Sequence, residues 1–261
     1  MGFVKTMDEI TENLLGTFDF YDAEMLTIFF ETKFEVINRL IPPPLEPGSE
    51  PNGMVFVANY PKTNFGVSYL ESALFLNVKY HEDEGVYCLS MPVSNDMAMV
   101  GGRETFGYPK KIGEIFFERQ GNDVRGWTER RGTRFLDISA KLTGKFNDDM
   151  AQSKIMERFE ENIEFVVYNY KYFLSPDLVG FDYNPRLIKE VVKFNPKTVQ
   201  IGEAQLELKS SPHDPWGDVD VVKVLGAVYT VGDNTMMPGI VAAEVDQIEF
   251  IPYALMKVDS I

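Results

Sequence analysis

The chain has 261 residues, of which 44% are hydrophobic, and a formal net charge of −15. That apolar content is enough for a large core and excludes a disordered composition. The excess of acidic side chains argues against binding to nucleic acid, whose phosphates need cations, and against binding to an anionic membrane surface.

Cys88 is the single cysteine, so no disulfide can form within the chain, as is typical of a reducing cytoplasm. It lies in an alternating apolar segment and is expected to be a buried, inert thiol. The N-terminal residues show no basic stretch followed by an apolar one, and no apolar run approaches the ~18–20 residues that span a bilayer. We therefore expect a cytoplasmic protein without a membrane segment.

Short alternating segments, rich in β-branched and aromatic residues, dominate the chain. In the first third they predict strands over Met25–Thr32, Gly53–Tyr60, Gly66–Tyr80 and Gly85–Val93. Similar segments fill the rest of the chain, and Gly121-Asn122-Asp123 predicts a hairpin turn between two of them.

Helical periodicity is rarer. It predicts one helix over KFEVINRL, ended by the prolines from Pro42 to Pro44, and a second over Asp149–Phe165. No repeat or flexible linker divides the chain. The pattern predicts a single α+β domain over residues 1–261, a mostly antiparallel β barrel or cone with a few flanking helices.

Two adjacent lysines, Lys110 and Lys111, lie in the segment GRETFGYPKKIG. From composition alone, either one is most simply a solvated surface residue. The local sequence favours a functional role for the pair. Pro109 restricts the backbone of Tyr108 to extended geometry, and glycines on both sides allow close backbone approach. Such a rigid segment can hold one side chain in a fixed direction.

This segment resembles the signature of the acetoacetate decarboxylase family, in which Gly-Arg-Glu precedes Tyr-Pro-Lys-Lys by a short spacer. The matching residues are Gly102, Arg103, Glu104, Tyr108, Pro109, Lys110, Lys111 and Gly113. Weaker similarity covers most of the chain, through VSYLES at Val67–Ser72 and the segments NYKYFLSPDLVGFDYNPRLIKEV and SPHDPWGDVDVVKVLG. The resemblance implies a homo-oligomer that acts on a small-molecule keto acid.

The resemblance also implies Schiff-base chemistry at Lys110, which would attack a substrate ketone to form an iminium. A carboxylate β to the iminium nitrogen can then leave as CO₂ and produce an enamine. The attacking amine must be neutral, and a nearby cation or an apolar pocket can favour that form, as acetoacetate decarboxylase itself illustrates. Because side chains alternate along a strand, we expect Lys111 to point away and pair with an acid, so that burial of Lys110 is the larger effect.

Other site residues follow from the same resemblance. Glu71, in a Tyr-x-Glu-Ser strand, would move protons or hold the iminium. Phe56, Arg103 and Tyr108 are expected to contribute to the substrate pocket, and Tyr253 is a candidate acid or base.

Two positions depart from the family pattern. The early strand has no arginine to engage a substrate carboxylate, the matching place being near Ala23, and Phe56 stands about where the family has a second glutamate. Three hypotheses result. The first is decarboxylation of acetoacetate or a related β-keto acid, and the second is a Schiff-base aldolase-dehydratase acting on pyruvate and aldehydes. The third is a non-catalytic ligand-binding protein, which predicts an exposed Lys110.

No cofactor is implied by any of these hypotheses. The only histidines, His81 and His213, do not by themselves make a metal site. No glycine-rich phosphate loop lies between a strand and a helix, which argues against a nucleotide or flavin.

Overall fold

The computed structural model describes residues 2–13, 16–159, 163–177 and 179–259. Its strands are β1 Phe18–Glu31, β2 Glu46–Pro47, β3 Asn52–Tyr60, β4 Lys62–Thr63, β5 Tyr69–Tyr80, β6 Asp83–Val93, β7 Lys110–Ile112, β8 Glu114–Gln120, β9 Asp123–Arg130, β10 Thr133–Lys141, β11 Ile163–Lys171, β12 Arg186–Leu208, β13 Lys223–Met236 and β14 Ile240–Glu244. Its α-helices are α1 Met7–Asn13, α2 Phe34–Leu40, α3 Asp96–Gly101, α4 Asp149–Met156 and α5 Gln247–Phe250. Shorter helical turns cover Gly102–Phe106 (a π-helix), and Glu157–Phe159, Trp216–Asp218 and Ile251–Lys257 (3₁₀ helices).

Seven strands close into a barrel in the order β11-β6-β5-β3-β1-β13-β12, and β12 pairs back onto β11. Neighbours in the barrel run antiparallel, apart from a short parallel contact between β6 and β11. The prediction of a mostly antiparallel barrel with a few flanking helices is confirmed. Within the described ranges, none of the helices has the length and hydropathy needed to cross a membrane.

Strict alternation along the barrel strands separates two apolar cores. On β1, Met25, Thr27 and Phe29 face the barrel interior, whereas Leu26 and Ile28 face outward. The outward set packs under a second sheet formed by β8, β9 and β10, which is joined to the barrel through the long strand β12. The inward set leaves room for the cavity described below.

The predicted strands and the first helix are found where the sequence places them, and the hairpin turn joins β8 to β9. The second helix is shorter than predicted. It ends at Met156, a 3₁₀ turn follows, and Ile163–Phe165 begin strand β11, while residues 160–162 lie outside the described part of the chain. The apolar residues up to Phe159 fit a helical period, but Ile163-Glu-Phe alternates and pairs with β12.

The two adjacent lysines point to opposite faces of β7, as expected for consecutive strand residues. Lys110 turns into the barrel, whereas Lys111 Nζ donates to the His213 carbonyl at 2.7 Å. Lys111 Nζ also lies 2.9 Å from Asp259 Oδ1 and 3.5 Å from Asp214 Oδ1. The predicted pairing of Lys111 with an acid is therefore confirmed.

Arg130 shares both of these carboxylates, at 2.5 Å from Asp214 Oδ2 and 2.7 Å from Asp259 Oδ2. Burial opposes the charge of Asp259, but hydrogen bonds from Arg130 and Lys111 hold its pKa well below the usual range. The four charges fasten the C-terminal residues to the β6–β7 edge of the barrel.

We predict that Lys111→Met lowers the free energy of unfolding by about 2–4 kcal/mol, because two largely buried carboxylates then lose one of their two buried cations and keep Arg130 and the more exposed Arg131. Urea denaturation measures this change. The matched control is Lys33→Met, which removes an exposed pair with Asp220 and should cost less than about 1 kcal/mol. Equal losses in the two variants would contradict the structural role given to Lys111.

Candidate active site

The amine of Lys110 is enclosed at one end of the barrel interior. Its Nζ lies 2.7 Å from Glu71 Oε2, and the two side chains are only 8% and 6% exposed. Glu71 is on β5, and Lys110 is brought beside it because β7 pairs with the end of β6, the strand next to β5. A carboxylate at this distance can accept a proton from the amine and return it later.

Three tyrosines surround the pair. The rings of Tyr69 and Tyr108 each lie 5.6 Å from Lys110 Nζ, close enough for cation–π attraction while the amine is charged. The hydroxyl of Tyr60 lies 3.5 Å from Glu71 Oε1. Burial, and then the charge of Glu71, raise the pKa of Tyr60 and of Tyr69, so both hydroxyls stay protonated near neutral pH.

Glycines before the lysines let the backbone pass close to Lys110. Asn95 caps helix α3 because its side chain accepts a hydrogen bond from Ala98 N at 3.1 Å, and the helix leads into the π-helical turn. A Cβ on Gly102 would lie 2.6 Å from Lys110 Cε, so a larger residue there would force the lysine side chain to shift. Gly107 then reverses the chain at φ +85°.

A cavity of about 190 Å³ opens in front of Lys110 and Glu71. All seven barrel strands contribute to its walls, which are mostly aromatic and aliphatic. Of the residues predicted for the site, Lys110, Glu71, Phe56 and Tyr108 line this one cavity. The structure therefore brings together the core of the predicted site.

Arg103 and Tyr253 do not line this cavity. Arg103 follows Gly102 in the π-helical turn, and its charge acts instead on Tyr172 and Lys257. Tyr253 lies on the 3₁₀ helix at Ile251–Lys257, outside the barrel wall, where it lines a separate cavity of about 250 Å³. The expectation that both residues contact a substrate held at Lys110 does not fit these positions.

Glu190 is a buried carboxyl beside the site that the sequence reading missed. It lies on β12 and is fully buried, beside the hydroxyl of Tyr108. Burial raises its pKa to about 8; the Tyr108 hydroxyl and Lys110 oppose this shift, and Glu71 adds to it. Glu190 is thus a carboxyl that can carry a proton near neutral pH.

The signal that could have identified Glu190 is its register. Glu190 shares one face of β12 with Ile188, Val192 and Phe194, so this stretch of the face is apolar except at Glu190. Glu190 does not line the cavity itself. It reaches the site through Tyr108, whose pKa is raised first by burial and then by the charge of Glu190.

Lys257 is a second buried amine that the sequence reading did not identify. Its Nζ donates to the Tyr170 carbonyl at 2.8 Å and lies 4.0 Å from the centre of the Tyr172 ring. Burial, followed by the charge of Arg103, lowers its pKa to about 7. Lys257 lies outside the cavity. It is therefore a control within the same protein, against which the modification of Lys110 by a ketone can be compared.

Comparison with known proteins agrees with this geometry. The model of the family described as Acetoacetate decarboxylase (ADC) matches residues 7–245. A CLA biosynthesis isomerase from Lactiplantibacillus plantarum is 28% identical over 243 residues, covering 88% of this chain and 84% of the relative. An acetoacetate decarboxylase from Clostridium beijerinckii is 25% identical over 227 residues, covering 85% and 86% of the two chains.

A solved structure shares the fold. The crystal structure of acetoacetate decarboxylase from Legionella pneumophila aligns with a TM-score of 0.76 at 21% identity, covering 88% of this chain and 90% of that one. The similar proteins named here thus include both a decarboxylase and an isomerase. Since the family match spans nearly the whole chain, this protein belongs to the acetoacetate decarboxylase family.

Proposed function

We propose that the protein is an enzyme that forms a Schiff base through Lys110 and decarboxylates a β-keto acid through an enamine. The observation that carries this proposal is the enclosure of the Lys110 amine with Glu71, 2.7 Å apart, at the end of an apolar cavity. An amine that attacks a ketone needs such a water-poor site, because the iminium must persist long enough to react.

The chemical steps assign a role to each group. Glu71 accepts a proton from the Lys110 ammonium, and the neutral amine adds to the substrate ketone. Loss of water gives the iminium, the bond to the carboxylate breaks, and its electron pair moves into the new enamine as CO₂ leaves. The proton that Glu71 accepted leaves with this water. Glu71 then takes a proton from solvent and gives it to the enamine carbon, and addition of water to the resulting iminium releases the ketone and restores the Lys110 ammonium.

The apolar walls favour this reaction over tight binding of a carboxylate. A carboxylate loses its charge as CO₂ forms, so a site that does not solvate the anion lowers the barrier. Among the described residues that line the cavity, Lys110 and the distant Lys154 are the cations. The place near Ala23, where the family carries an arginine, is a buried alanine. The carboxylate of acetoacetate therefore has no arginine to bind it at this place. A β-keto acid with an apolar substituent would instead gain contacts with the cavity wall.

Isomerisation is a second candidate, favoured by Glu190. If the enamine forms by loss of a proton and is reprotonated at a different carbon, a double bond moves and no carbon–carbon bond breaks. Such a reaction needs a second proton carrier besides Glu71, and Glu190 beside Tyr108 can serve through that hydroxyl. The 28% identical relative is named an isomerase.

The two other hypotheses have less support. The aldolase-dehydratase reading used Tyr253 as the acid or base, and that residue lies outside the Lys110 cavity. The non-catalytic reading predicts an exposed Lys110, whereas its side chain is 8% exposed.

Borohydride trapping separates these candidates. The protein is incubated with acetoacetate or with pyruvate, reduced, and weighed by intact-mass spectrometry, with CO₂ measured in parallel. We expect a reduced adduct and CO₂ from acetoacetate at high concentration, and neither in Lys110→Arg. Lys111→Met should trap as the wild type does. An adduct with pyruvate alone would favour the aldolase reading, and no adduct with either compound would overturn the proposal.

We predict that Gly102→Ala reduces imine formation by about 10- to 100-fold, because the new Cβ displaces the Lys110 side chain from Glu71. Gly101→Ala is the matched control, since a Cβ there would meet nothing within 4 Å. Both glycines have right-handed helical backbone angles, so neither substitution strains the chain. Equal trapping rates in the two variants would contradict the close fit between Gly102 and Lys110.

We predict that Glu190 makes stability and turnover depend on pH. In the unfolded chain a glutamate loses its proton near ~4.3, whereas the folded pKa of Glu190 is about 8. The free energy of unfolding of the wild type, relative to Glu190→Gln, should therefore fall as pH rises from about 4.3 to about 8 and then level off.

The same substitution should remove a limb near pH 8 from the pH–rate profile, which a purely structural residue would not do. Exposed Glu203 provides the control, because Glu203→Gln should leave both curves unchanged. A Glu190→Gln variant whose stability and rate follow the wild type at every pH would show that this carboxyl is not a proton carrier.

A further inference from the structure

The cavity at Lys110 continues along the barrel well beyond the reacting groups. Its lining follows alternate residues of β5 from Glu71 through Phe75 to Asn77, and Phe56 and Met54 run beside them on β3. The six residue steps from Glu71 to Asn77 correspond to about 20 Å of strand. The cavity is therefore elongated along the strands, and we call it the channel.

The middle of the channel is almost entirely apolar. Phe29, Met54, Phe165, Phe194 and Leu225 come from five different strands and converge there. Of the polar lining residues, Thr27 lies in this stretch, whereas Thr230 is in register with Glu71 and Asn234 lies beyond that level, away from Met54. A sugar or nucleotide would leave most of its polar groups unpaired here, whereas a hydrocarbon chain would not.

The far end of the channel is polar and open. Glu50, Asn52, Asn77 and Lys154 line it. Lys154 pairs with Glu50, and their side chains are 68% and 37% exposed, in contrast to 8% for Lys110. The Lys110 amine is therefore sheltered from solvent, whereas the channel reaches solvent beside Lys154.

From this arrangement we propose that the substrate is a carbonyl compound on a long, unbranched aliphatic chain. Its carbonyl carbon meets Lys110, its chain fills the channel, and a polar end group, such as a carboxylate, lies at the rim formed by Glu50, Asn52, Asn77 and Lys154. The inference rests on the proposed Schiff-base function for its chemistry, but the channel binds the chain whether or not an imine forms.

Two measurements test this inference separately from the function. The first is imine trapping with 2-butanone and with 2-undecanone, which differ only in chain length. Each buried methylene should lower the concentration for half-trapping by about fourfold until the chain reaches the rim. The second is calorimetric binding of hexanoate and of palmitate, which contain no ketone, and only palmitate should bind with high affinity.

Substitution of Met54 localises the effect, because Met54 lines the channel four strand residues from the level of Glu71 and Lys110. Met54→Trp should remove the advantage of 2-undecanone over 2-butanone and the binding of palmitate. Met54→Leu is the control and should behave as the wild type. If Met54→Trp does not fold, Leu225→Trp on β13 blocks the same part of the channel.

The possible failures are distinguishable. If 2-butanone and 2-undecanone are trapped at equal concentrations and palmitate does not bind, the long-chain inference is overturned and the Schiff-base function stands. If palmitate binds but no ketone is trapped, the function fails and the channel is a binding site for apolar chains. If Met54→Trp retains the preference for long chains, the chain does not follow this channel.

Discussion

The structure depends on keeping a lysine and a glutamate together in an apolar barrel. Burying a charged pair costs free energy unless the partners compensate one another, and Lys110 and Glu71 do so at 2.7 Å. The surrounding tyrosine rings and hydroxyls complete that compensation without adding a competing charge. A proton can move between the two groups in either direction. The ion pair that stabilises the buried charges is therefore also the pair that would transfer a proton in the proposed reaction.

Strand alternation divides the two adjacent lysines between different tasks. Lys110 faces the interior, and Lys111 joins Arg130 in holding Asp214 and Asp259 near the C-terminus. One dipeptide therefore fastens the edge of the barrel and supplies the amine of the proposed site. The glycine at 102 and the left-handed turn at Gly107 let the preceding helix pack against the lysine that follows it.

Much of this could be predicted from sequence because it is local. The alternation of β1, β3, β5 and β6, the hairpin at Gly121 and the opposite directions of Lys110 and Lys111 follow from strand geometry and turn chemistry. What could not be predicted depends on closure of the barrel. Glu190 is about 80 residues from Lys110 and meets it only because β12 pairs back to β11 beside β6. Tyr253 was expected at the site from the family resemblance, but it lies outside the barrel wall. The length of the channel also depends on how seven strands close together.

The central claim is that one amine among the buried lysines is presented to a substrate. Lys110, Lys111 and Lys257 are all at least nine-tenths buried, but of the three Lys110 alone lines the channel. The most direct measurement is peptide mapping of the protein after ketone and borohydride, to find which lysine carries the reduced adduct. The account predicts modification of Lys110, with Lys111 and Lys257 unmodified. An adduct on Lys257, or one spread over exposed lysines, would contradict it.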